Sequence, residues 1–387
     1  MTIAAVIPTR NRGAVAVQAV QSLLDQDCEI EIFVSDNSAF PDDALRDFCA
    51  SNGVHYVHRT PEVVTPTHWD QAIREAMERS NATHFTVHYD RKVSKPRHLG
   101  MVQAIASRWP EHVITWPHDY VADTPPPMRL WQAPWTGHVY ALRTARLVQL
   151  TAAGRAGSIT SHALPLLSNC LVPRSVLSEV VERFGDLCDS TTADSAFAYR
   201  FCSVRERYLH FDRSMGVLHS PHRSTGLGYM RGRGGDFDDF RRQWGDRPWL
   251  DAAPIPGINL GLNMLYHEYE RVRRATGDQL PPIDRAAYVE DLAGGLPVVS
   301  DPSARAELRR VLMEEGWRGR EPRMRGFLRH SVLAFLDERL GLRVPGVTGR
   351  VFRDDRDALR HALAHPRRRR EDARHLAMLE PEQVETG

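Results

Sequence analysis

Residues 8–12 (PTRNR) stand between a predicted strand and a predicted helix and have the chemistry of an anion-binding site. Backbone N–H groups and the helix dipole at the start of a helix attract phosphate, and Arg10 and Arg12 add guanidinium groups. The glycine patterns of dinucleotide-binding folds and P-loops are absent from this segment. We therefore expect Pro8, Thr9, Arg10 and Arg12 to line a phosphate pocket, with an exposed helix-capping loop as the alternative.

Two further predicted strands also end in polar side chains. Asp36 and Asn37 follow the second strand, and Asp90 follows the fourth. The carboxyl ends of parallel strands meet at one edge of a sheet, where a carboxylate or an amide can hydrogen-bond a base or a ribose. An Asx turn is the local alternative for Asp36 and Asn37. We expect the three strand ends to form one site.

The elements that would position these residues alternate between strands and helices over the first ninety residues. Short apolar segments predict strands, and apolar residues at helical spacing predict the helices between them. Strands this short and apolar suit a parallel sheet covered by helices on both faces. The predicted strands are 3–7, 29–35, 54–58 and 83–89, and the predicted helices are 14–26, 42–51 and 69–79.

The rest of the chain predicts a second half of this α/β domain, followed by a helical extension. Residues 232–235 and 246–256, rich in glycine or proline, are expected to be linkers. We expect a catalytic domain over 1–230, with a nucleotide-binding half (1–95) and an acceptor half (96–230), and a mainly helical region over 231–387. Its Arg-rich tail, residues 366–387, is expected to be solvated. The later predicted helices are 141–153, 174–184, 195–204, 257–275, 304–315, 326–340 and 356–365.

Composition excludes several classes of protein. The 50 basic and 49 acidic residues give a net charge of +1, which offers no reason to expect binding to nucleic acid or to a membrane surface. The five cysteines show neither a disulfide framework nor zinc-ligand spacing. No apolar run reaches the ~20 residues of a membrane span or resembles a signal peptide. We expect a cytoplasmic enzyme without an integral membrane segment, which could form a homodimer.

Lysine occurs only at Lys92 and Lys95, directly after Asp90, so all other basic residues are arginine. Two ammonium groups at this strand end could neutralise a diphosphate without a metal ion. The alternative is a solvated basic turn.

The order of these segments resembles the nucleotide-sugar half of a family 2 glycosyltransferase with the GT-A fold, a Rossmann-like α/β fold. The resemblance covers about residues 1–230 and fades afterwards. It is carried by residues 5–12 (AVIPTRNR), 32–38 (IFVSDNS), 69–73 (WDQAI), 83–90 (THFTVHYD), 164–169 (LPLLSN), 171–174 (LVPR), 192–197 (TADSAF) and 216–226.

The resemblance implies inverting transfer of a sugar from a nucleoside-diphosphate sugar, with UDP expected, to an acceptor hydroxyl. Thr9 and Asp36 match positions that hold the nucleoside, and Asp36 would accept a hydrogen bond from the pyrimidine base. Pro8, Arg10, Arg12, Asn37 and Trp69 are expected in the same pocket. The acceptor could belong to natural-product or glycan biosynthesis.

The resemblance also assigns the chemistry of transfer. Asp194 matches the general base that takes the acceptor's proton, although an Asp before an apolar helix is also a common N-cap. Asp90 matches the last acid of a metal-binding D-x-D motif, and His219 matches a histidine that some relatives supply to Mn²⁺ or Mg²⁺. Because positions 88–90 read HYD, only one carboxylate of that motif remains, which weakens the metal expectation.

A glycine-rich segment after His219 is expected to close over the ligands as a lid, with His222 and Arg223 contacting phosphate or acceptor. Two other functions stay open from sequence. One is a sugar nucleotidyltransferase on a related sheet, although its glycine-rich first loop is absent. The other is a sugar-nucleotide-binding protein that has lost its acidic cluster and catalyses nothing.

Overall fold

The computed structural model describes residues 1–122, 128–133, 135–157, 163–219, 235–296, 299, 301–319, 352, 354–364 and 374–385. In that part of the chain the strands are β1 (Ile3–Thr9), β2 (Ile30–Asp36), β3 (His55–His58), β4 (His84–Val87), β5 (Lys92–Ser94), β6 (Ile114–Thr115), β7 (Asp119–Ala122), β8 (Arg129–Trp131), β9 (Val139–Arg143), β10 (Cys170–Pro173), β11 (Arg207–Phe211), β12 (Gly216–Leu218) and β13 (Glu382–Val384).

The α-helices of the described residues are α1 (Gly13–Leu24), α2 (Asp43–Ser51), α3 (Thr65–Arg79), α4 (His98–Arg108), α5 (Thr144–Ala152), α6 (Arg174–Phe184), α7 (Ala193–Val204), α8 (Gly235–Trp244), α9 (Gly261–Ala275), α10 (Arg285–Gly294), α11 (Pro302–Glu314) and α12 (Asp355–Ala364).

A large sheet runs through the described part of the molecule in the order β13-β9-β11-β6-β10-β4-β1-β2-β3. The strands β4, β1, β2 and β3 are all parallel, and every strand of the sheet except β9 and β10 runs in their direction. The predicted α/β class, a mostly parallel sheet flanked by helices, is confirmed. A smaller sheet, β5-β12-β7-β8, adjoins it and was not predicted.

The side chains of β1 pack against helices on both faces of the sheet. Ala5 and Ile7 belong to one apolar cluster with α1 and α2, whereas Ala4 and Val6 belong to another with α3 and α7. Successive side chains of a strand point to opposite faces, so a strand that is apolar throughout must be buried on both. All of β1 is buried, including Thr9 at its carboxyl end.

The C-terminal region is packed more closely than the sequence predicted. Residues 246–256 were expected to be a linker, yet Leu250 and Ala253 are buried in a cluster with α8 and α9. The tail is not solvated throughout either, because Glu382–Val384 pairs with β9 and Leu376 is fully buried. Its apolar side chains find partners that are distant in sequence. Residues 220–234, with the predicted domain boundary, and 365–373 lie outside the described residues.

Among the residues described, no helix is long and apolar enough to cross a bilayer.

Candidate functional site

A cavity of about 510 Å³ opens at the carboxyl ends of β1 and β4 and reaches the start of α7. This is where a parallel α/β sheet ordinarily holds ligands, because the strands end and the chain turns away on either side. The residues lining the cavity are Pro8, Thr9, Arg10, Asn11, Arg12, Val63, Thr65, Pro66, His68, Trp69, Tyr89, Asp90, Arg91, Leu166, Thr191, Thr192, Ala193, Asp194, Ser195, Asp239, Phe240 and Met264.

Asp90 is a buried carboxylate on the cavity wall, and it is held by Thr9, at the end of β1, and by Arg12, in the loop that follows. Thr9 Oγ1 donates to Asp90 Oδ2 at 3.0 Å, and Arg12 Nη1 lies 3.3 Å from the same oxygen. The carboxylate therefore joins the ends of β1 and β4 and fixes the Arg12 guanidinium at the cavity surface.

Arg10, Arg12 and Arg91, which we call the arginine wall, all line the cavity. Glu62 lies 3.1 Å from Arg10 Nε, and Gln243 of α8 accepts a hydrogen bond from the same side chain. The Arg91 guanidinium carbon lies 5.8 Å from the centre of the Tyr89 ring. Guanidinium groups held in this way present several fixed donors to a phosphate or a carboxylate.

Asp194 lies in the first turn of α7 and lines the same cavity as residues 8–12. Both of its carboxylate oxygens accept hydrogen bonds. The Tyr89 hydroxyl donates to Oδ2, and the backbone N–H of Ser168 donates to Oδ1 at 3.0 Å. Thr192 is the N-cap residue of α7, so the alternative that Asp194 caps this helix is wrong. The positive end of the helix dipole favours a carboxylate in this turn.

Burial raises the pKa of the Asp194 carboxyl, while the hydrogen bonds from Tyr89 and Ser168 and the nearby charge of Lys92 oppose the rise. The pKa of the Tyr89 hydroxyl is raised well above its ordinary value, first by burial and then by the negative charge of Asp194. Tyr89 therefore stays protonated as a donor, and the carboxylate is a stronger base than a solvated one.

The loop before α7 is fixed by a buried carboxylate that the sequence did not single out. Glu268, on α9, accepts from Ser190 Oγ at 2.6 Å and from the backbone N–H of Thr192 at 3.0 Å. Glu268 is 1% exposed. The helical C-terminal region thus helps to position the start of the helix that carries Asp194.

Of the predicted site residues, Pro8, Thr9, Arg10, Arg12, Trp69, Asp90 and Asp194 line the cavity together. Sequence reasoning missed Tyr89, Arg91 and the contributions of Asp239, Phe240 and Met264. Tyr89 and Arg91 flank Asp90 in the chain, so their position at a strand end was a signal that could have found them.

Asp36 and Asn37 do not line the cavity, contrary to prediction. Asp36 accepts from the backbone N–H of Ser38 at 3.0 Å and from the Tyr56 hydroxyl at 2.8 Å. Asn37 donates to the Arg59 carbonyl at 3.1 Å and accepts from the backbone N–H of Val63 at 2.9 Å. Both side chains are buried and organise loops, so the Asx turn describes Asp36 better than contact with a base does.

Neither lysine reaches the cavity, so the expected diphosphate contact does not fit this structure. Lys92 is fully buried, and its Nζ donates to the Ser168 carbonyl at 2.9 Å. Burial lowers the pKa of its ammonium to about 7. Lys95 Nζ pairs with Asp119 at 2.7 Å. Neither lysine belongs to a solvated turn, because the ammonium group of each is paired with a polar group of the protein.

The residues expected to hold Mn²⁺ or Mg²⁺ do not fit a divalent cation. At Asp90 the Arg12 guanidinium, 3.3 Å away, stands where a cation would bind, and like charges repel at such distances. His219 is buried, and its backbone pairs with Arg91 rather than lining the cavity. In the described ranges no group of three His, Cys, Asp or Glu side chains could hold a metal ion. His222 and Arg223 lie outside the described residues.

No family model matches the sequence, and no curated protein is significantly similar to it. Among solved structures, the crystal structure of S. aureus TarS superposes with a TM-score of 0.44 and 13% identity over 81% of this chain. The match spans about half of that longer chain, 52%. Crystal structures of S. aureus TarS 1–349 in complex with UDP-GlcNAc and with UDP give the same TM-score and identity, and cover 81% and 92% of this chain and 87% and 98% of theirs. Likeness of this degree does not assign a function.

Proposed function

We propose that the protein is an inverting glycosyltransferase that moves a sugar from a nucleoside-diphosphate sugar to an acceptor hydroxyl. One observation carries the proposal. Two consecutive residues after β4 hold the two parts of the proposed site. Tyr89 donates to Asp194, and Asp90 holds Thr9 and Arg12. A candidate base and a cationic wall are thereby fixed around one cavity by the same turn of chain.

The arginine wall would bind the diphosphate. In glycosyl transfer the bond between the anomeric carbon and the diphosphate oxygen breaks, and the leaving group gathers negative charge. Fixed guanidinium donors stabilise that charge most where water is excluded. Arg12 and Arg91 suit this role because their surroundings hold them at the cavity surface before a ligand binds.

Asp194 would act as the general base. The acceptor oxygen attacks the anomeric carbon on the face opposite the leaving diphosphate, and its proton passes to the Asp194 carboxylate. A base with a raised pKa is better matched to this transfer near neutral pH. Asp194 lines the cavity, where its carboxylate can accept the hydroxyl proton of a bound acceptor.

We propose that the arginine wall, rather than a divalent cation, neutralises the leaving diphosphate. The pairing of Asp90 with Arg12 supports this, because it uses the carboxylate that the resemblance assigns to a metal. UDP-sugars are the first donors to test, followed by sugars of other nucleoside diphosphates.

The first experiment measures nucleotide binding by isothermal titration calorimetry, with UDP and other nucleoside diphosphates, in EDTA and in Mn²⁺. We expect one nucleotide to bind equally well in both conditions. Loss of binding in EDTA would overturn the metal-free proposal while leaving the transferase proposal intact.

The second experiment incubates the protein with the preferred nucleotide-sugar and a panel of hydroxyl-bearing acceptors, and follows release of nucleoside diphosphate and the glycosylated product. Product formation with inverted anomeric configuration supports the proposal. Binding without transfer to any acceptor would favour a non-catalytic sugar-nucleotide-binding protein. Release of pyrophosphate from a nucleoside triphosphate and a sugar phosphate would instead identify a nucleotidyltransferase.

A further inference from the structure

Lys92 is a fully buried cation that the proposed reaction does not use. Its side chain is 0% exposed, its Nζ donates to the Ser168 carbonyl at 2.9 Å, and the ammonium lies 6.0 Å from the centre of the Trp116 ring. A carbonyl and an aromatic face offset only part of the cost of removing an ammonium from water. A side chain that costs stability in this way is a candidate for a functional role.

The Ser168 turn connects Lys92 with Asp194. Lys92 holds the carbonyl of Ser168, and the backbone N–H of the same residue donates to Asp194 Oδ1 at 3.0 Å. Ser168 lies in a short 3-10 turn, Leu167–Asn169, and is 1% exposed. The ammonium and the carboxylate therefore lie on opposite sides of one buried residue, close enough for their charges to interact.

The other titratable groups around Lys92 are uncharged near neutral pH. His88, His98 and His118 surround it, and burial followed by the Lys92 charge holds the pKa of each imidazole well below its usual range. Cys170, which faces both Lys92 and Asp194, has a thiol pKa raised well above its usual range by burial.

In the described part of the chain, the donors to Asp194 are the neutral groups of Tyr89 and Ser168. Tyr89 is a neutral donor, and burial also raises the thiol pKa of Cys188. The Arg91 guanidinium carbon lies 5.8 Å from the centre of the Tyr89 ring. Lys92 is a cation whose charge acts on Asp194.

We propose that Lys92 is a positioning residue for Asp194: it anchors the Ser168 turn that orients the carboxylate, and its charge favours the ionised form of that carboxylate. The coupling between the two side chains is a physical property of the fold. Its catalytic meaning rests on the proposed function, in which Asp194 is the base.

The direct test is a ¹³C NMR titration of Asp194 in protein labelled at the aspartate carboxyl carbon, with the signal assigned by its loss in Asp194→Asn. The titration runs on the acid side of neutrality, where Lys92 carries its charge. Lys92→Met removes the ammonium but keeps an apolar chain of similar length. An opposite charge lowers a carboxyl pKa, so we expect Lys92→Met to raise the Asp194 midpoint by about one pH unit.

Lys95→Met is the matched control, because Lys95 pairs with Asp119 and Ser214 and does not contact Asp194 or Ser168 through any described hydrogen bond. It should leave the Asp194 midpoint where it is in the wild type. Lys92→Gln separates the two roles, since a neutral amide can still donate to the Ser168 carbonyl. It should raise the midpoint as Lys92→Met does, while preserving the position of the turn.

An unchanged Asp194 midpoint in a folded Lys92→Met or Lys92→Gln variant would overturn the proposal. So would failure of both variants to fold, because Lys92 would then be needed for structure rather than for positioning. We expect instead that both melt at or above the wild-type temperature, as removal of a poorly paired buried charge avoids its desolvation cost.

Activity provides a second readout that separates this proposal from the proposed function. If the protein transfers sugar, Lys92→Met should lower kcat about tenfold with little change in donor KM, and move the acidic limb of the kcat profile upward. If no transfer occurs in any variant, the proposed function fails, and the NMR titration still decides whether Lys92 controls Asp194.

Discussion

The hydroxyl of Tyr89 donates a hydrogen bond to the Asp194 carboxylate, although the two residues are 105 positions apart in the chain. Tyr89 leaves the sheet at the end of β4, next to Asp90, and Asp194 begins α7. The contact links Asp194, the proposed general base, to the end of β4, where Asp90 holds Arg12 of the arginine wall. It fixes the carboxylate's direction and favours its ionised form.

Tyr89→Phe tests this contact. The ring packs against Trp69 at a centroid distance of 5.5 Å, so phenylalanine should preserve the packing and remove only the hydroxyl. Since that hydrogen bond lowers the Asp194 pKa, its loss should raise the pKa further. We expect kcat to fall about tenfold and the acidic limb of its pH profile to move to higher pH. An unchanged profile would show that the hydroxyl does not tune the base.

Arg12→Ala tests the arginine wall by calorimetry with the preferred nucleoside diphosphate. Loss of a charged donor to phosphate should weaken binding by about tenfold to a hundredfold. Arg46→Ala is the control, because Arg46 is an exposed arginine paired with Asp43 on α2, away from the cavity lining. Equal affinities for both variants would remove Arg12 from the proposed diphosphate site.

Arg12 also holds the buried Asp90 carboxylate, so Arg12→Ala could lose stability as well as affinity. Arg12→Lys keeps a positive charge beside Asp90 while losing the planar donor group. It should melt close to the wild type and bind nucleotide with intermediate affinity. Wild-type affinity in Arg12→Lys together with weak binding in Arg12→Ala would mean that charge alone is needed.

Glu268→Ala tests whether α9 positions the start of α7, the helix that carries Asp194. Glu268 accepts hydrogen bonds from the Ser190 hydroxyl and the Thr192 N–H, and the substitution leaves both donors without this partner. Leaving buried donors unsatisfied costs about 1–3 kcal/mol, so we expect a lower melting temperature and a lower kcat with nearly unchanged nucleotide affinity. Glu268→Gln retains an acceptor oxygen and should lose less of both. Equal losses of melting temperature and kcat in the two variants would show that the hydrogen bonds of Glu268 do not cause them.

Asp212 gives a prediction about stability against pH. Burial alone would raise its carboxyl pKa, but the interactions with His375, His210 and Thr136 together outweigh burial, and the net pKa is lowered. His375 Nε2 lies 2.8 Å from Asp212 Oδ1 and ties the C-terminal 3-10 turn to the end of β11. A carboxyl with a lowered folded pKa stabilises the fold above its unfolded pKa, and this contribution is lost as pH falls through the folded value.

Asp212→Asn should therefore destabilise the protein near neutral pH by about 1–3 kcal/mol. The difference from the wild type should shrink in acid, once the wild-type carboxyl is itself protonated. Urea unfolding at several pH values measures both effects. A difference that stays constant with pH would contradict the role of ionised Asp212.

The parts of the fold and site that the sequence predicted depend on local patterns. The apolar run of β1 and the helical spacing of α6 require no knowledge of distant partners, and the predicted bounds of α6 agree with the observed ones. The polar residues at the ends of β1 and β4 were brought to one edge by the rule for parallel strands, and Thr9, Arg12 and Asp90 do meet there.

The errors concern side chains whose partners are distant in sequence. Lys92 and Lys95 follow Asp90 in the chain, but β5 belongs to the smaller sheet, which carries them away from the cavity. Asp36 stands at the expected strand end, yet Tyr56 and Ser38 use its oxygens. A resemblance in motif order predicts where a backbone position lies, whereas the partner of its side chain depends on packing that the motif does not contain.

Asp194→Asn tests the central claim most directly, because the amide keeps the shape of the side chain and cannot accept the acceptor's proton. The measurement is the rate of sugar transfer, beside nucleotide affinity by calorimetry in the same preparation. The account predicts that transfer falls by about a hundredfold to ten-thousandfold, while nucleotide Kd stays within about twofold of the wild type. Transfer close to the wild-type rate in Asp194→Asn would contradict it.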